Sequence, residues 1–153
     1  MQAIFQQFIA KWGDASLPSL PCDEQSIASA EQALRTRFPD LHRCFLVEVG
    51  KLWVPNILSS VVAEAADLPS LQDLLSANEA VETTNGWRSA GMPNDLIAVA
   101  SDAGGNCLCF KRSLEPRTDA PVYLWDHDFD ETTEVFPSFY AMIQSYLSLK
   151  KHA

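Results

Sequence analysis

Asp126, His127, Asp128, Asp130 and Glu131 crowd into one short stretch, the densest set of metal-ligating or acid–base side chains in this sequence. Asp126-x-Asp128-x-Asp130 mimics the opening of a calcium loop, in which a hard cation gathers about six to eight oxygens. The mimicry stops there. The position that needs glycine for the sharp turn holds Glu131, and the closing bidentate glutamate position falls on Pro137. A zinc hydrolase wants two or more nitrogen ligands, and the other histidines are His42 and His152. The expectation is a solvated acidic loop in which Asp126 or Asp128 hydrogen-bonds backbone, with no metal and no cofactor.

Two other constellations invite chemistry and fail on physical grounds. Gly104-Gly105 suggests a phosphate-binding loop, which requires a helix N-terminus behind it and a lysine at its end. Here the apolar run Cys107–Phe110 follows, so Asp102, Gly104, Gly105 and Asn106 are read as a structural turn, with Asp102 and Asn106 bonding backbone. Cys22, Cys44, Cys107 and Cys109 contain no Cys-x-x-Cys pair. Cys107 and Cys109 fall on one face of a strand, where parallel Cβ vectors disfavour a disulfide. Their apolar neighbours keep a thiol inert. No catalytic residue is assigned, and an enzyme is not expected.

The elements that must position these residues follow from periodicity. Ile4, Phe5, Phe8, Ile9 and Trp12 mark a first helix with Gly13 as its C′ residue, and Asp14–Pro21 is a loop. Asp23 caps a second helix carrying Ile27, Ala30, Glu31, Leu34 and Phe38 and ending before Pro39. Asp40 caps a third, with Leu41, Phe45, Leu46 and Val49 inward and Gly50 at its end. Ile57–Ala63 reads as a weak strand. Ser70 and Asp73 suggest a cap for a helix burying Leu71, Leu74, Leu75 and Val81 and running toward Trp87. Leu96–Ala100 and Cys107–Phe110 flank the glycine turn as a hairpin, and Val122–Trp125 adds a third strand. Pro137 and Ser138 open a last helix with Phe139, Met142, Ile143, Tyr146 and Leu147, whose end suits Lys150 and Lys151. Helices at both ends and antiparallel strands between them predict one α+β domain over residues 1–153, a central antiparallel sheet packed against several helices.

Composition narrows the partners. The 153 residues carry a net charge of −9, which repels phosphate backbones and anionic lipid and attracts basic proteins. Neither nucleic acid nor a membrane surface is expected as a partner. The N-terminus has no basic flank and no unbroken apolar core, no run approaches the ~20 apolar residues of a span, and four free thiols suit a reducing, cytoplasmic setting. No lysine or arginine lies between Arg117 and Lys150, nor between Lys51 and Arg88. If those two acidic stretches meet in the fold, they form a strongly negative face.

The order and spacing of D-L-I-A-V-A-S-D-A-G-G-N-C-L-C-F followed by V-Y-L-W-D-H-D resembles the SUKH superfamily, which includes the Smi/Knr-type cell-wall assembly regulators of fungi and bacterial toxin-immunity proteins. The likeness runs from about Ser26 to Leu149 and takes in F-P-D-L-H-R-C-F-L and L-P-S-L-Q-D-L. It implies a domain without a catalytic constellation that works by binding another protein. Steric occlusion of a basic toxin domain, a nuclease being one such, is the leading expectation. Trp53, Trp87, Asp126, His127, Asp128, Asp130 and Glu131 are the candidate contact residues. An intracellular regulatory or scaffold protein and, further off, a metal-dependent enzyme are the alternatives.

Overall fold

A computed structural model describes residues 2–152. Among these residues six helices and six strands follow one another as α1 (Ala3–Trp12), α2 (Glu24–Leu34), α3 (Asp40–Glu48), β1 (Leu52–Trp53), α4 (Ile57–Ala63), β2 (Asp73–Leu74), α5 (Ala77–Arg88), β3 (Leu96–Ser101), β4 (Cys107–Lys111), β5 (Val122–Asp126), β6 (Glu131–Phe136) and α6 (Phe139–Ser148). The strands form one antiparallel meander in chain order, β1 to β6, so β1 and β6 are its two edges. This is the α+β arrangement expected, with a larger sheet.

Both faces of the sheet are covered, unequally. Ile97, Leu108, Phe110, Val122 and Phe136 join Phe5, Phe8, Trp12, Phe45 and the α6 residues Phe139, Met142, Ile143 and Tyr146 in the main core. Leu96, Ala98, Cys107, Cys109 and Trp125 point the other way, into a smaller cluster with Leu75, Met92 and the half-buried Trp87. β3 is therefore buried at five successive positions, as a central strand clad on both sides should be.

The β3–β4 pairing shifts register between Ala98 and Ala100. At that bulge the Ala98 amide donates to the Thr84 hydroxyl of α5 at 2.9 Å, and the Leu75 amide donates to Val99 at 3.0 Å. A buried amide stranded by a bulge costs about 1–3 kcal/mol unless it is satisfied, and Thr84 satisfies it.

Several local expectations are corrected. Ile57–Ala63 is a helix: Ile57 and Ser60 are buried one turn apart, and Ala65 (φ 49°) follows its end. Ser70–Leu75 is extended, because its backbone pairs with β3 through the Gln72 amide to Ser101. The cap of α5 is Ser76, in a reciprocal box with Glu79 at 3.1 Å in both directions. α2 stops at Leu34, where Arg35 turns left-handed (φ 52°); Phe38 lies beyond it, its amide held by Glu31 at 2.8 Å. Asp40 is the first residue of α3 rather than its cap; Pro39 holds the N-cap position. Gly13 is extended (φ −64°, ψ 153°) and no left-handed cap. Gly50 is left-handed (φ +69°), and a side chain there would run into the Leu20 carbonyl. At the end of α6, Lys11 of α1 donates to the Leu147 and Leu149 carbonyls, the role expected of Lys150 and Lys151. The segment after β5 is not a loop throughout: it turns tightly and returns as β6.

Candidate functional site

The two turns at one end of the sheet meet. In the β3–β4 turn, Asp102 Oδ1 accepts the amides of Gly104 (2.9 Å) and Asn106 (2.8 Å), and Gly105 takes a left-handed φ of +89° that glycine adopts without strain. The Asn106 side chain, unlike its backbone, is not spent on its own turn. Its Oδ1 reaches the β5–β6 turn, accepting the His127 amide at 3.2 Å and lying 2.6 Å from His127 Nδ1. That geometry places the proton on Nδ1. Ser70, ahead of β2, joins the same corner by accepting the Ala103 amide at 3.2 Å.

The acidic cluster shapes the second turn through hydrogen bonds to its backbone and to Trp125. Asp126 Oδ1 accepts the Asp128 and Phe129 amides at 2.9 and 3.3 Å. Asp130, left-handed at φ 49°, accepts the indole N–H of buried Trp125 at 2.9 Å. Asp128 lies 3.3 Å from His127 Nε2, and Glu131 is the cross-strand partner of Asp126. Among the described residues no three His, Cys, Asp or Glu side chains are placed to share a metal ion.

Trp87 belongs to this corner. It packs edge-on against Trp125 at 5.4 Å and tilted against His127 at 5.0 Å, closing the smaller core beside a shallow recess lined by Thr83, Gly86 and Ala90. It is thus a wall of the site rather than a free anchor. Trp53 lies apart, half-buried on β1 at the opposite edge of the sheet. The aromatic that does project here is Phe129, 74% exposed at the tip of the β5–β6 turn and not among the contact residues expected. Its signal was a large apolar residue between two aspartates with no periodic partner.

Several charges of the first acidic stretch are set apart from the second or paired with Lys51. Asp73 on β2 stands four strands from β6, about 19 Å away at ordinary strand spacing. That exceeds a Debye length of about 8–10 Å in physiological salt. Asp73 and Glu79 are also answered by Lys51, at 2.7 and 2.9 Å, and Glu64 contacts the His152 ring. Burial works against the charge of Glu79, yet the Lys51 and Ser76 contacts hold its carboxyl below the usual range. The β5–β6 hairpin carries a run of acidic residues with no lysine or arginine in its own segment, and Lys111 of β4 lies nearby over the Tyr123 ring. Asp119 is engaged in capping α6 through the Phe139 and Tyr140 amides.

The thiols offer little nucleophilicity here. Burial pushes Cys107 up to about 12 with help from Asp102, and pushes Cys109 well above its ordinary value. All four cysteines are free. No helix among the described residues is long and apolar enough to cross a membrane.

Comparison with known proteins places this geometry. The chain resembles a crystal structure of a protein from Pseudomonas syringae pv. tomato, with a TM-score of 0.56 and 19% identity over 94% of this chain and 92% of that one. At that identity the likeness concerns the fold alone. No curated protein matches the chain. The SMI1 / KNR4 family (SUKH-1) matches residues 21–145, which include the hairpin, both turns and most of α6. The chain belongs to the SMI1 / KNR4 family (SUKH-1), within the SUKH superfamily.

Proposed function

We propose that this protein acts by binding another protein, as an immunity protein that covers the working surface of a basic toxin domain. SUKH domains are in general non-catalytic, which suits occlusion without chemistry. The observation that carries the reading is the β5–β6 hairpin, where Asp126, Asp128, Asp130, Glu131 and Glu134 surround an exposed Phe129 and no lysine or arginine lies between Arg117 and Lys150. A nuclease is basic where it grips phosphate, so such a hairpin competes directly for its substrate groove. Acidic charge speeds the encounter, while an aromatic anchor inside a polar rim slows release. Asp126, His127, Asp128, Asp130 and Glu131 form the contact surface in this reading, with Trp87 behind them; Trp53 lies too far across the sheet to share it.

The test is co-purification with the toxin domains encoded beside its gene, followed by an assay of toxin activity with and without the chain. Stable association that silences the toxin is expected. A chain that neither binds nor protects against any neighbouring toxin, and binds a non-toxin protein of its host instead, would favour the second reading. That reading is a regulatory or scaffold protein, supported by the regulators after which the matching family is named.

A further inference from the structure

β6 is an open edge. Among the described residues, no backbone hydrogen bond joins Glu131–Val135 to anything but β5, and Glu131, Thr132, Thr133 and Glu134 are all exposed. The other edge is closed to addition. β1 is two residues long, and beside it Leu20 and Lys51 exchange both backbone bonds, at 2.9 and 3.0 Å. A six-residue edge with its outward amides and carbonyls unpaired is a template for another strand.

We propose that the partner adds an extended segment antiparallel to β6, as a seventh strand, and that this segment carries lysine or arginine on both of its faces. The open ladder supplies affinity, and side chains beside it supply specificity. Charge selects the occupant. Glu131 and Glu134 lie three residues apart and so present carboxylates on opposite faces of the strand. Asp126 and Glu131 sit directly across from each other, a like-charge pair that costs stability until a cation comes alongside. A second copy of this chain is the wrong guest. Antiparallel pairing of two β6 strands about Thr132 and Thr133 would set each Glu131 opposite the other copy's Glu134. Phe129, in the turn just ahead of the strand, then gives the added segment an apolar end-stop.

The inference rests on the protein-binding reading and fails separately from it. The probe is a synthetic peptide in which pairs of lysines alternate with pairs of threonines, which sets lysine on both faces of a strand, followed by amide hydrogen exchange along β6. Alternation directs one of the Thr132 and Thr133 amides toward β5 and the other outward. Proline at the outward position leaves the fold intact and removes an edge donor; at the inward position it weakens the hairpin. Several-fold slower exchange at alternate β6 amides is expected with the lysine peptide. A glutamate counterpart leaves the exchange unchanged, and the fold-preserving proline variant abolishes the effect. Peptide that slows no β6 amide, equal protection by the glutamate peptide, or a dimer protected along β6 without peptide would each overturn strand addition. A toxin domain still bound and silenced by the fold-preserving proline variant would remove strand addition while the immunity reading stands.

Discussion

Asn106 and His127 tie two turns into one rigid corner: a single carbonyl oxygen of Asn106 accepts both the backbone amide and the Nδ1 proton of His127. The β5–β6 turn is therefore braced by a residue 21 positions away, from the turn of the preceding hairpin. Asn106→Ala removes the shared acceptor. It should cost about 1–2 kcal/mol in urea denaturation. It should also speed amide exchange at Asp126–Phe129; unchanged exchange there would show that the brace does no structural work.

A second prediction concerns Asp130, which combines a left-handed backbone with the indole bond of Trp125. Asparagine tolerates that conformation and keeps an acceptor, so Asp130→Asn should stay near wild-type stability. Asp130→Ala leaves a buried indole N–H unpaired and should cost about 1–3 kcal/mol. Equal melting behaviour of the two variants would contradict this.

His42 predicts a pH dependence. It is 3% exposed, edge-on to Phe38, Phe110 and Phe139, with Nδ1 unpartnered. Burial lowers its pKa to about 3 from an ordinary 6.5. Below 6.5 the unfolded chain takes up a proton that the folded chain refuses. The contribution is thus fully present above that pH and is lost as pH falls toward 3, by at most about 1.4 kcal/mol per unit. His42→Leu should lose roughly 2–3 kcal/mol less than wild type between about pH 7 and pH 4.5. Parallel pH profiles for the two proteins would refute the assignment.

The thiols should separate by position. Cys44 is exposed, whereas Cys107 and Cys109 are buried with raised pKa values. Alkylation of the native chain should modify Cys44 first and reach Cys107 and Cys109 only after unfolding. Rapid labelling of either strand cysteine in the folded protein would contradict that packing.

What the sequence makes legible depends on how local the determining physics is. The β3–β4 hairpin declares itself, since its glycine turn and two apolar runs are contiguous. α1, the Asp23 cap and the Ser138 start of α6 likewise depend on near neighbours. β2 does not: Leu71, Leu74 and Leu75 have helical spacing, and only pairing with Ser101 and Ala100 makes them extended. β6 is an edge strand exposed on both faces, so it lacks apolar alternation; its β-branched Thr132, Thr133 and Val135 were the remaining sign. In the site, the acidic residues are plain in the sequence. Their grouping with Asn106 and Trp87 is not, because it depends on the strand register that brings the two turns together.

In the function proposed, negative charge on the β5–β6 hairpin guides a protein partner to this edge of the sheet. Glu131 and Glu134 are the residues to neutralise, because their carboxylates make no ion pair or hydrogen bond among the described residues, unlike Asp126 and Asp130. The direct measurement is the association rate with the co-purified partner across a salt series, for wild type and for the Glu131→Gln, Glu134→Gln double variant. A wild-type rate that falls steeply with ionic strength is expected, with a slower rate and a flatter dependence in the variant. Rates indifferent to salt, or identical in the two proteins, would contradict it.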